Sequence, residues 1–199
     1  MKSLLFMEEV IKQLSKGKIL RTLFTWFLWI LAAAVALIVL IGWIPRWKAV
    51  SGMSADAVIG FVLFQLITLA AAAIAVHVLL IRSKHIKTVA DSEYTVIPIL
   101  SVFFKAIGEV YACLAALLST GAGLFIWFGG RQAGVLRHFG FWIPTMQWFR
   151  TGGFLWGLLT IVGGCLAAFL VLMLFYWISE SLILGVDIAH NTRGLRSRH

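Results

Sequence analysis

Apolar residues run in four long blocks along this chain, and charged residues gather in the short stretches between them. A helix needs about 20 apolar residues to cross a hydrocarbon core about 30 Å thick, because unpaired backbone amides cannot be left in lipid. Blocks 22–44, 56–81, 96–128 and 152–188 all reach that length. Trp26 and Trp29 stand near one end of the first block, and Trp43 and Trp47 near the other, where indole rings favour the two interfaces. Asp56 opens the second with a charge suited to a helix N-terminus. The third and fourth blocks exceed one bilayer thickness and must tilt, break or project, with their most buried parts near Ile107–Phe128 and Phe154–Ile178.

Ahead of the first block, residues 1–20 place Leu4, Met7, Ile11 and Leu14 on one helical face, with Lys12 and Lys16 off it. That pattern fits a helix lying in the membrane surface, or one packed on the protein itself. The pattern predicts an all-α integral membrane protein: a four-transmembrane-helix bundle with an N-terminal amphipathic interfacial helix, forming a single membrane domain over 1–199. Residues 189–199 form a basic tail.

Composition agrees, since 61% of residues are hydrophobic and 13% charged, against roughly 45–50% and 25% in soluble domains. A net charge of +9 would suggest nucleic acid in a soluble protein. Here sixteen of the 17 Lys and Arg fall between or beside the apolar blocks, where they set topology. Lys2, Lys12, Lys16, Lys18, Arg21, Arg82, Lys84, Lys87, Arg193, Arg196 and Arg198 lie on one side; Arg46, Lys48, Arg131, Arg137 and Arg150 lie on the other. That excess of eleven to five predicts both termini in the cytoplasm and argues against a nucleic-acid partner. The aromatic loop between the third and fourth blocks, with Phe139, Phe141, Trp142, Trp148 and Phe149, fits a segment bedded among headgroups. The long mixed segment before the first block is unlike a signal peptide, so the first span is expected to stay attached. Cys113 and Cys165 sit within apolar blocks, and neither a CxxC nor a Cys/His cluster occurs.

The seventeenth cation, Lys105, lies inside a block, one helical turn from Glu109. In the expected topology His77, Lys105, Glu109 and Glu180 share one level near the cytoplasmic side. They form either a polar cluster, with Lys105 paired to at least one carboxylate and a possible ion or proton path, or a set of interfacial residues whose long side chains snorkel to the headgroups. A single in-span histidine does not make a haem site, and no metal or other cofactor is expected.

Small residues recur at helical spacing, with Gly108, Ala112, Ala115, Ser119 and Gly123 in the third block and Gly153, Gly157, Thr160, Gly164 and Ala168 in the fourth. Such faces permit close helix approach, within this chain or to another subunit. The tail, of the form E-x-L-x-x-x-x-D-I-x-x-N-T-R from Glu180 to Arg193, resembles the endings of some small bacterial multi-span proteins. That likeness implies a multi-pass protein of the bacterial inner membrane and assigns no activity. No phosphate-binding glycine loop, HExxH or GxSxG occurs, so an enzyme is not expected. The leading expectation is a structural or accessory subunit that packs laterally on other membrane subunits or on itself in the bilayer. A small channel or transporter using the polar cluster is the alternative.

Overall fold

The computed structural model describes residues 18–89, 96–130, 132 and 153–196. Segment 1–17, with its amphipathic pattern, and most of the aromatic loop lie outside the described residues.

Among the described residues the fold is helical throughout. Helix α1 spans Lys18–Arg46, and a 3-10 turn over Trp47–Gly52 leads into α2, Ala55–Thr88. Helix α3 spans Val96–Gly129 and α4 spans Phe154–Arg196. All four are long and apolar enough to cross a membrane. The two central helices, of 34 residues each, rise about 51 Å, and α4 about 64 Å. Both figures exceed the about 40–45 Å of a bilayer with its headgroups.

Packing follows chain order. Helix α1 packs on α2 and touches α3, α2 packs on α3, and α3 on α4, whereas α1 and α4 make little or no contact. The four helices thus assemble around a central α2–α3 pair, with α1 and α4 on the outside. In the most apolar stretch of each helix, 44% of α2 and 50% of α3 residues are buried, against 11% of α1 and 17% of α4. Helix α4 carries apolar side chains nearly all round, so little in its sequence singles out one face for the interior.

At one end of the array Phe61 and Phe64 of α2 meet Phe125 of α3, with ring centroids 5.9 and 6.4 Å apart, and Trp47 closes on Phe61 at 5.7 Å. Gly60 and Gly121 make room for this: a Cβ on Gly60 would stand 2.8 Å from Phe128 Cβ, and one on Gly121 3.0 Å from Phe64. Toward the other end, Phe24 and Phe27 of α1 pack edge-on against Phe103 of α3 at 5.4 and 5.7 Å. There Trp29 Nε1 also donates to the Ser83 hydroxyl of α2 at 3.1 Å.

Tryptophans mark two levels. Trp156 and Trp177 are separated along α4 by about 31 Å of helix rise. Trp127 of α3 shares the Trp156 level, since its ring stacks on Phe154 at 5.2 Å and its Nε1 donates to the Phe154 carbonyl at 2.7 Å. The spacing of the two levels matches the thickness of a hydrocarbon core.

Candidate functional site

The polar side chains of the central helices meet at the Trp177 level. Arg82, in the last two turns of α2, donates from Nε to Glu109 Oε2 at 2.8 Å and from Nη2 to Oε1. From α4, Tyr176 donates its hydroxyl to the same Oε1 at 2.6 Å. Arg82 Nη2 reaches the Tyr176 oxygen at 3.4 Å, and Nη1 lies 3.4 Å from His85 Nδ1. One carboxylate on α3 therefore ties α2 and α4 together through a fork-shaped ion pair and a phenol. Charge assistance makes such bonds stronger than neutral ones, and the planar guanidinium fixes their direction. Arg82 and Glu109 each keep 19% of their side-chain surface exposed, so the pair is shielded but not sealed.

Lys105, one turn before Glu109 on α3, has its Nζ 5.2 Å from the centroid of the Tyr176 ring, on the ring's face. Among the described residues Lys105 makes no direct ion pair of the kind the sequence suggests, although the Glu109 charge still attracts it through space. Glu109 spends its oxygens on Arg82 and Tyr176, and the lysine rests on the aromatic ring. Glu180, one turn past Tyr176, is exposed. His77 is exposed too, on the outer face of α2, about 7.5 Å short of Arg82 along the helix axis. Of the four residues singled out from sequence, the structure brings Lys105 and Glu109 into one cluster and leaves His77 and Glu180 outside it.

Arg82 and Tyr176 are the members that sequence reasoning missed. Arg82 directly follows the apolar stretch ending at Ile81 and reads as a loop cation; Tyr176 precedes Trp177 and reads as one more interfacial ring. The available signal was length, because α2 and α3 both outrun the bilayer and their adjoining ends must overlap beside Lys105 and Glu109.

The small residues face each other along α3 and α4. A Cβ on Gly123 would meet Ile161 at 2.4 Å and the Gly157 carbonyl at 2.6 Å; one on Gly157 would meet Trp127 at 2.2 Å and the Gly123 carbonyl at 2.7 Å. A Cβ on Gly164 would strike Ser119 at 2.0 Å, and one on Gly108 would strike Phe175 at 2.6 Å. Ala112 is half-buried. Gly153 stands apart from this row: it precedes α4 with a φ of +146°, exposed, and serves the turn into the helix. Beyond the ion pair the two helices stay joined by Ser101 and Ser179, whose buried hydroxyls are 2.6 Å apart.

Polar contacts thus bind the array at the Trp177 level, and close-packed small residues line the α3–α4 seam along its length. Comparison with protein-family models, with curated proteins and with solved structures gives no match.

Proposed function

We propose that this protein is a non-enzymatic structural or accessory subunit of a bacterial inner-membrane assembly, and that it meets its partner through the outer face of α2. The observation that carries this reading is His77. It projects from a stripe of exposed residues, Leu66, Ala70, Ala73, Ile74 and Ile81, at a depth inside the span. An imidazole facing hydrocarbon leaves a donor and an acceptor unmatched, which is expensive where no water is at hand. A neighbouring helix with a polar side chain at the same depth would meet both needs. Ala70 and Ala73 would let its backbone come close. The small faces of α3 and α4 are engaged with each other, so they are not the surface offered to a partner.

The alternative, a small channel or transporter, draws on Gln65, whose buried amide has no hydrogen-bond partner among the described residues. Gln65 lies about 25 Å from Arg82 along α2. The α2–α3 seam between them is filled by Ala71, Ala75, Leu79, Leu114 and Leu118, all buried and apolar, which disfavours a continuous polar path.

Mass measurement of the protein extracted in mild detergent tests the reading. A stable complex, with itself or with other subunits, that is weakened by His77→Leu is the expected result. A lone monomer that conducts ions in liposomes would overturn it in favour of the alternative.

A further inference from the structure

We propose that Lys105, seated on the Tyr176 ring beside the Arg82–Glu109 pair, anchors a binding site for the phosphate of an anionic phospholipid. The inference rests on membrane insertion and is independent of any lateral partner.

Charge accounting comes first. The Arg82 guanidinium is matched by Glu109, and the Tyr176 proton is committed to the same carboxylate. Lys105 is a second cation in this layer: it rests on a ring face, which attracts an ammonium by its quadrupole without neutralising it, and it shares with Arg82 the single Glu109 charge, which Arg82 holds directly. The ring is itself held, because the hydrogen bond to Glu109 fixes the phenol. The ammonium therefore sits in a preset place, with the ring occupying one side and its donors free to turn to the other. An acceptor bearing negative charge is the natural occupant of that side.

Depth then selects the kind of anion. Lys105 lies about 33 Å along α3 from Trp127, and Tyr176 about 30 Å along α4 from Trp156, so both stand where lipid phosphates begin. The surface leading to them from the hydrocarbon side is exposed and apolar: Met173, Leu174 and Trp177, the last with 67% of its surface open. Acyl chains would cover that surface while the phosphate reached the ammonium. His85, exposed one turn after Arg82 on α2 and 3.4 Å from its Nη1, adds a hydrogen-bonding group beside the cluster. Glu180 is the opposing group on α4; it lies one turn farther from the membrane and leaves the layer net positive with Arg82 and Lys105 against Glu109. Basic groups between helices at a membrane surface are a known basis for holding anionic headgroups.

The test uses the full-length protein, delipidated in mild detergent, titrated with dioleoylphosphatidylglycerol or dioleoylphosphatidylcholine and read by lipid adducts in native mass spectrometry and by melting temperature. The wild type should prefer phosphatidylglycerol by about fivefold or more, the effect of one cation near an anionic surface. Lys105→Gln should abolish that preference, Lys105→Arg should keep it, and Lys48→Gln, at the opposite end of the array, should leave it unchanged. Because each variant is compared between two lipids, a general loss of stability cancels. Tyr176→Phe, which keeps the ring, should retain more of the preference than Tyr176→Leu. Equal preference in the wild type and Lys105→Gln would overturn the proposal. So would inorganic phosphate reproducing the full stabilisation, because the site would then take a free anion.

Discussion

Glu109 accepts hydrogen bonds from two helices at once, so its replacement strands more than its own charge. Glu109→Gln leaves the Arg82 guanidinium without a counter-ion in a layer that already holds Lys105. Breaking such a pair from one side costs about 3–5 kcal/mol when it is fully buried, and less here because both side chains are partly exposed. A loss of about 1–3 kcal/mol in unfolding free energy is expected, measured by thermal or denaturant unfolding in detergent. Arg82→Met should cost a similar amount, and Arg82→Met/Glu109→Met should cost less than the sum of the two, since no unpaired ion remains. Tyr176→Phe removes a charge-assisted hydrogen bond to the Glu109 carboxylate and should cost up to about 1.5–3 kcal/mol. If Glu109→Gln proves silent, the three-helix tie is decorative and the cluster does not hold the array. Lys105 and Glu109 were legible in the sequence because an ion inside an apolar block stands out. Arg82 was hidden because it sits where a block ends, and there a cation signals topology whether or not it is paired. What settles the matter is the overlap of helix ends, a property of three segments that no single stretch reveals.

Helices α3 and α4 approach so closely that backbone meets backbone, and that is a property of elements. The carbonyls of Gly123 and Gly157 stand 2.6–2.7 Å from where the other's Cβ would be. Backbone cannot move aside as a flexible side-chain end can, so even Gly157→Ala should force the helices apart, at about 1–3 kcal/mol. Ser119→Leu should do likewise through Gly164. Gly185 provides the contrast: it is helical, exposed, and has nothing within 4 Å of an added Cβ. Gly185→Ala should raise stability by about 0.5–1 kcal/mol through helix propensity alone. The opposite signs of these two glycine-to-alanine changes, read in one melting experiment, check the packing. Small residues at 3–4 spacing were legible because the pattern repeats over several turns. Gly60 and Gly121, which make room for the phenylalanines between α2 and α3, were not: Gly60 is a lone glycine among large residues and carries no period, and Gly121, between Thr120 and Ala122, lies off the repeating Ser119–Gly123 face.

Across the whole molecule, the four-helix array leaves α1 and α4 with little cover, and the bilayer is the medium able to solvate both sides of such a chain. Its orientation follows from where cations cannot cross. The Arg82 end of the array carries Arg82, Lys84, Lys87 and the start of α1 at Lys18 and Arg21, while the opposite end carries Arg46 and Lys48. Translocating a basic segment is disfavoured, and acidic residues contribute little to the choice, so the Arg82 end should face the cytoplasm with both termini. Helix α4 then extends about 28 Å beyond Trp177 toward that side, taking the Ser101–Ser179 contact with it and ending among Arg193 and Arg196, where cations suit a helix C-terminus. Single cysteines at Lys2 and Val135, in a chain whose Cys113 and Cys165 have been replaced, should react with a membrane-impermeant maleimide from opposite sides of the membrane. Position 2 should label only after the membrane is opened, and position 135 in intact spheroplasts. Labelling of both from one side would mean an even number of crossings between them instead of three, and would overturn the four-span topology. Reversal of the two, with 135 protected and 2 labelled, would keep the spans and invert the orientation. The Lys105 layer would then meet the outer leaflet, and the basic count would have lost to some stronger determinant in the aromatic loop.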